Sequence, residues 1–323
     1  MDYKSICKKI IAFNKYFKIN NTCIKFPYIT ITPKFHKNPL AFRFITCGSN
    51  TYINKPGLIF FNILQKLNNF ITNEGFTWII NNNKSVLNFL HNNNIHSIDT
   101  FDFKDLFPSI PLYHLKDVLT SYYNDYNNIL NISLEFWNKL INYCIFNNFI
   151  FNGEHLYLQT IGIPQGSNYS SLLTNLFLHW FEKNYTFLNF TAFRYIDDLI
   201  VFNNPEFINL WHKIYPKELL LKKTNNSNSS IQFLDIEIKF SNSTVTTSLY
   251  DKRNDFNFKV IKFIPWSSNL SIKVYRNTII NQTHRIKFIC NNTNNTLSHI
   301  NDFFNTLINN NYPFNFINKY LHD

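Results

Sequence analysis

The chain has 323 residues, 45% of them apolar and 18% aromatic, which is enough to bury a sizeable core and long for a single domain. Its 31 Lys and Arg against 20 Asp and Glu give a net charge of +11, a field that attracts a polyanion. No apolar run approaches the roughly 18–20 residues that span a bilayer, and the five cysteines stand far apart without a Cys-x-x-Cys pair. A membrane protein, a zinc module and a disulfide scaffold are thereby disfavoured, and nucleic acid is the expected partner.

The opening Met1-Asp2-Tyr3-Lys4 lacks the apolar core of a signal peptide, so an intracellular, reducing compartment (nucleus or cytoplasm) is expected. The abundance of Phe, Ile, Asn and Lys reads as an AT-rich codon bias before any functional aromatic array. Helices are expected over Tyr113–Tyr123, with Leu115, Val118, Leu119 and Tyr122 on one face, and over Leu134–Phe146. A third is expected over Ser170–Phe187, where Leu172, Leu173, Leu176, Phe177, Trp180 and Phe181 share a side. Phe193–Ile196 and Leu199–Phe202 are β-prone runs around two aspartates. Ile231–Phe240 alternates as one strand, with Ser243–Tyr250 as its partner. The Asn-rich stretches Asn81–Asn83, Asn92–Asn94, Lys222–Ser230 and Asn291–Asn295 read as solvated loops, with Lys222–Ser230 the best internal linker. The elements mix without a regular βαβ order, which makes the fold class α+β.

Two segments place aspartates where a strand meets a turn: Ile98–Pro111, containing Asp102 and Asp105, and Phe193–Phe202, containing Asp197-Asp198. Adjacent acids between apolar runs are costly unless exposed at a turn or holding a cation. Taken singly, Asp197-Asp198 would suit a polar hairpin tip and Asp102 a helix cap or strand end. Taken together, one acid from each of two neighbouring strands supplies the oxygen ligands that Mg²⁺ needs for nucleotidyl transfer.

The two aspartate segments resemble motifs A and C of reverse transcriptases, the second with the aromatic-x-Asp-Asp core Tyr195-Ile196-Asp197-Asp198. Between them, Gly162-Ile163-Pro164-Gln165-Gly166-Ser167 followed by Asn168–Leu176 resembles motif B, a Gln-Gly turn leading into a helix. Upstream, Pro33-Lys34-Phe35-His36-Lys37 and Phe42-Arg43-Phe44-Ile45 resemble the fingers segment. The Pro-Lys-x-His-Lys pattern, Phe233-Leu234-Asp235-Ile236 and Tyr250-Asp251-Lys252-Arg253 are most similar to Penelope-like retroelement reverse transcriptases, a group related to telomerase. The chain departs from the family in carrying Ser170-Ser171 where motif B commonly has Ser-Pro, and no GIY-YIG nuclease segment is recognised.

The resemblance implies a right hand with an N-terminal extension (1–24), fingers (25–95), a palm of antiparallel sheet backed by helices (96–250) and a small thumb-like region (251–323). It implies an RNA-directed DNA polymerase that extends a primer 3′-hydroxyl with deoxynucleoside triphosphates on an RNA template, using a DNA or RNA primer. Two Mg²⁺ ions, or Mn²⁺ in their place, would be held by Asp102, Asp197, Asp198 and the backbone carbonyl of Phe103. Lys37 and Arg43 would grip the triphosphate, with Lys34 as the alternative to Lys37, since arginine suits bidentate contact with phosphate. Asp105 would meet the triphosphate through its backbone, its carboxylate alternatively pairing with Lys104 or Arg43. Phe107 would abut the sugar and exclude a 2′-hydroxyl, or else be an ordinary core ring. Gln165 and Gly166 would line the nucleotide pocket. Lys222 or Lys223 falls near the family's motif D lysine, or is merely solvated.

Lys252, Arg253, Lys259 and Lys262, interleaved with Phe256, Phe258, Phe263, Trp266 and Tyr275, suit either a template–primer groove or a solvated face over a hydrophobic core. A separate nuclease would assist as a further partner. Two other readings stay open: an RNA-dependent RNA polymerase, disfavoured by Ile196 where such enzymes usually carry Gly, and a domesticated nucleic-acid-binding copy without synthesis.

Overall fold

The computed structural model describes residues 2–20, 24–35, 39–186, 190–225, 230–241, 244–256, 258 and 260–321. The first helix, α1 (Tyr3–Tyr16), turns Ile6, Ile10 and Asn14 inward at helical spacing. β1 (Tyr28–Lys34) and β2 (Ala41–Cys47) pair antiparallel, from Tyr28 opposite Cys47 to Lys34 opposite Ala41. α2 (Asn54–Glu74) buries Phe60, Leu64, Leu67 and Ile71 before a left-handed Gly75 stops it. α3 (Lys84–Asn92), β3 (Ile98–Phe103) and the single turn α4 (Leu106–Ser109) follow.

α5 (Leu112–Leu130) buries the Leu115, Val118, Leu119 and Tyr122 face that its periodicity requires, and runs past Tyr123 through a kink at Tyr126. α6 (Leu134–Cys144) is N-capped by Ser133, whose hydroxyl accepts from the Phe136 amide. Then come β4 (Phe149–Phe151), β5 (Leu156–Leu158), α7 (Ser170–Glu182), β6 (Thr191–Tyr195), β7 (Asp198–Phe202), α8 (Phe207–Ile214) and β8 (Leu221–Lys223). The chain closes with β9 (Ile231–Phe233), β10 (Ile236–Ser241), β11 (Thr244–Leu249), α9 (Ile272–Ile289), α10 (Thr293–Asn309) and α11 (Phe314–Leu321).

The chain forms two compact units: Met1–Ile80 with Asp102–Leu199 and Glu206–Lys222, and Asn81–Phe101 with Ile200–Pro205 and Lys223–Asp323. The first unit holds a four-stranded sheet in the order β2-β1-β4-β5. A second sheet, ordered β6-β7-β3-β8, contributes residues of all four strands to the first unit. The second unit holds the antiparallel sheet β11-β10-β9 and a helical core of Tyr275, Ile279, Ile286, Phe303, Leu307, Tyr312 and Ile317.

Three expectations are corrected. Ile231–Phe240 is a hairpin of two strands, because Leu234 adopts φ 54° and the chain folds back so that Ile236 faces Phe233. The apolar alternation shifts phase there, from Ile231 and Phe233 to Ile236 and Ile238, which a single strand cannot do. The linker at Lys222–Ser230 begins inside β8, and Asn225 is buried, accepting from the Thr100 amide at 2.9 Å and donating to the Ile98 carbonyl at 3.1 Å. Residues 226–229 lie outside the described set. Finally, α7 ends at Glu182 and tightens into a 3₁₀ turn over Lys183–Tyr185, short of the expected end at Phe187, which lies outside the described residues. Two asparagines of the other stretches are bonded: Asn292 caps α10, and Asn83 donates to Asp235 at 2.6 Å.

His179 on α7 is buried with its Nδ1 2.6 Å from the Tyr122 hydroxyl, and burial pushes its imidazole down to about 4. Between pH 6.5 and 4 the unfolded chain therefore binds the extra proton and the folded chain does not, so stability falls as pH falls through that window. A loss of about 3 kcal/mol is expected from pH 7 to pH 4 through this one group. Denaturant titrations at several pH values, compared with His179→Gln, measure it: the substitution should flatten the dependence.

Candidate active site

The aspartates converge because β3 and β7 are neighbours in the second sheet. The Phe103 amide donates to the Asp197 carbonyl at 3.2 Å, and the next amide, Lys104, donates to the Leu220 carbonyl at 2.9 Å. Asp102 is thus the penultimate residue of one strand, and Asp197 sits in the turn that opens the next. That turn needs Ile196 at φ 56°, a left-handed conformation costly for a β-branched residue. All three aspartates are half-buried.

Among the described residues no set of three or more His, Cys, Asp or Glu side chains forms a metal cage. At these neighbouring strand ends, Asp102, Asp197 and the Phe103 carbonyl would offer an all-oxygen donor set. This fits Mg²⁺, which keeps waters and substrate phosphates as its other ligands.

Beneath the turn, Arg194 and Glu182 are both fully buried and paired. Arg194 Nε and Nη2 donate to the two Glu182 oxygens at 2.6 and 3.0 Å. Its Nη1 donates to Asn175 Oδ1 at 2.9 Å and to the Ile196 carbonyl at 3.0 Å, and Nη2 also reaches the Asn175 carbonyl at 3.3 Å. All five guanidinium donors are used. Tyr215 completes the carboxylate's shell, donating to Glu182 Oε1 at 2.8 Å. The strained Ile196 peptide next to Asp197 is therefore held by a charged donor inside the core. Sequence reading placed Arg194 in a strand and gave it no role. The available signal was a lone arginine in an apolar β run, with Asn175 and Glu182 seven apart on one helix face.

The Gln-Gly turn is locked to both neighbours through backbone. The Ile163 amide donates to the Phe107 carbonyl at 2.9 Å, and the Thr46 amide donates to the Gln165 carbonyl at 2.6 Å. Gly162 has φ 69°, and a Cβ there would lie 2.4 Å from Pro108 Cα; Gly166 has φ 118°, and its Cβ would lie 2.6 Å from the Thr46 carbonyl oxygen. Only glycine permits these approaches. Gly162→Ala is expected to cost at least about 2–3 kcal/mol. Gly153→Ala, at φ 102° with nothing near its Cβ, should cost about 1 kcal/mol. Unfolding midpoints of the two variants give the comparison.

Phe107 is half-buried on α4, directly beside this turn. Asp105 takes a left-handed φ of 49° at the start of α4 and makes no ion pair with Lys104 or Arg43 among the described residues. Arg43 lies exposed on β2 opposite Thr32, on the same ribbon face as Lys34. The Thr46–Gln165 bond ties that ribbon to the Gln-Gly turn. Lys37 lies outside the described residues.

In the second unit, Arg253 is engaged by Asp251 at 2.9 and 3.0 Å and donates to the Lys262 carbonyl, while Lys262 Nζ sits 3.7 Å from Asp251. These pairs, with the hydrogen bonds from Arg253, hold Asp251 below the ordinary carboxylate range against the opposing effect of burial. Lys252 is exposed, and Lys259 lies outside the described residues. The interleaved rings serve largely as core: Phe263, Trp266 and Tyr275 pack on α9–α11. Lys223 is ion-paired with Asp99 at 2.6 Å, and Lys222 is exposed.

A family model described as an animal helix-turn-helix domain matches residues 262–322, the segment carrying α9–α11. No curated protein matches the chain by sequence. Among solved structures, a telomerase from Candida albicans in complex with a TWJ fragment of telomeric RNA is 13% identical, with a TM-score of 0.57 over 95% of this chain and 60% of its own. Apo telomerase from Candida tropicalis is 15% identical, with a TM-score of 0.52 over 99% of this chain and 65% of its own. The fold is that of a right-hand polymerase, α+β with antiparallel sheets. The chain spans roughly 60–65% of the length of the telomerase chains it resembles.

Proposed function

We propose that the chain is an RNA-directed DNA polymerase of retroelement origin, akin to Penelope-like reverse transcriptases, that extends a primer 3′-hydroxyl with deoxynucleotides. The carrying observation is the Phe103–Asp197 backbone bond, which sets Asp102 and Asp197 side by side at two strand ends of a right-hand fold. Asp102, Asp197 and the Phe103 carbonyl would hold Mg²⁺, with Asp198 as an occasional ligand and Mn²⁺ as a substitute. Two such ions, when bound, activate the attacking hydroxyl and neutralise charge on the phosphates.

The protein's own part is positional. Arg194 holds the Ile196–Asp197 turn, and the Gln165-Gly166 turn lines the nucleotide pocket. Arg43 and Lys37 grip the triphosphate, which Asp105 meets through its backbone. The basic run of Lys252, Arg253, Lys259 and Lys262 attracts the template–primer duplex by charge, and the C-terminal helices support nucleic-acid contact, in keeping with their helix-turn-helix match. Binding of RNA is in keeping with the telomerase of similar fold in complex with a TWJ fragment of telomeric RNA. Template removal would call on a separate nuclease, and the compartment is intracellular.

Extension of oligo(dT) on poly(rA) with dTTP and Mg²⁺ tests the reading. Incorporation of dTTP in preference to UTP supports it, and preference for UTP would make the chain an RNA polymerase instead. Phe107→Ala should then raise the UTP-to-dTTP ratio of kcat/KM by roughly 10- to 200-fold, the discrimination a pocket wall of this kind provides. An unchanged ratio would return Phe107 to a packing role.

A further inference from the structure

Away from the aspartate strands, a groove of about 720 Å³ opens on the first unit, lined from α1, α5, α6 and the β5 edge. Tyr113 stands 76% exposed at its rim, its ring 5.1 Å from Phe146 at an angle of 50°. Lys9 and Lys116 line it, as do the exposed amides of Asn138 and Asn142, and no acid does. The helix that supplies Lys9 is basic beyond the groove: Lys4, Lys8 and Lys15 share the face of α1 opposite buried Ile6 and Ile10, and α1 contains no acid. Neither Lys9 nor Lys116 has an ion-pair partner among the described residues.

We infer that this groove is a binding site for single-stranded RNA, separate from the aspartate site and independent of whether the chain synthesises DNA. An exposed ring backed by a second ring is a stacking platform, and lysines on either side meet the phosphates. Amides take base edges and 2′-hydroxyls, the groups that distinguish RNA. A duplex has no unstacked base to offer Tyr113, so a single strand is the occupant. The acid-free, doubly cationic lining selects a polyanion over a neutral peptide.

The test is fluorescence anisotropy of the full chain with a short labelled oligo(rU), without nucleotide, over a range of salt concentrations. Tyr113→Ala should weaken binding roughly 5- to 100-fold, the effect of removing one stacking ring. Lys9→Ala with Lys116→Ala should lower the log–log salt slope by about 1.4, at roughly 0.7 per phosphate contact on a single strand. Lys66→Ala, on exposed α2 surface, should bind as wild type, which ties the loss to this groove. Crosslinking with 4-thiouridine should mark the peptide containing Tyr113. Unchanged affinity and slope in the groove variants would overturn the inference. So would equal competition by oligo(dT), or a polyglutamate peptide whose binding, unlike that of oligo(rU), is lost in those variants.

Discussion

Asp197→Asn is expected to reduce primer extension by roughly a hundred- to a thousandfold, the order that removal of one preorganised charge-stabilising group costs. The unfolding midpoint should stay close to that of the wild type. Asparagine has nearly the same shape and is at home in turns. The Asp197 backbone carbonyl, which accepts from the Phe103 amide, keeps that bond through the change. What is lost is the negative charge, and with it most of the affinity for a hard cation. Extension assays with Mg²⁺, beside a thermal melt, measure both halves. Activity near the wild-type level in a folded variant would remove Asp197 from the metal site.

Arg194→Met should destabilise the chain by about 3–5 kcal/mol, because Glu182 would remain buried with its charge uncompensated. Removing the partner as well changes the arithmetic. Replacing both members of a buried pair with apolar groups is often near neutral, so Arg194→Met with Glu182→Leu should recover a large part of the stability. It should not recover extension. The Ile196 carbonyl would still lack its charged donor, and the left-handed residue beside Asp197 would be released from its restraint. Denaturant midpoints and extension rates of the single and double variants separate the two contributions. Recovery of both together would show that Arg194 serves stability alone.

Much of the architecture was legible along the chain. The buried face of α5 follows from the spacing of Leu115, Val118, Leu119 and Tyr122, and the strands flanking Asp197-Asp198 lie where β-prone runs put them. The hairpin at Leu234 was legible too, in a phase shift that a reading of one continuous strand overlooked. The Asn-rich stretches were harder. Asparagine in water and asparagine capping a helix have the same composition, and only the returning chain decides that Asn225 is buried against Thr100 while Asn292 caps α10.

The sequence by itself determined the chemistry available: aspartates at two strand ends, a Gln-Gly turn between them, a basic chain, and helices whose apolar faces repeat every 3.6 residues. These are local properties, carried by residue type and short spacing. The tertiary structure alone decided the partners. It paired Arg194 with Glu182, set Gly162 against the Phe107–Pro108 backbone, bonded Thr46 to Gln165, took Lys223 to Asp99, and gathered Tyr113, Lys116 and Lys9 around one groove. The physical reason is that a buried charge or a forced glycine is satisfied by whichever distant segment folds back onto it. No periodicity within either segment names the other.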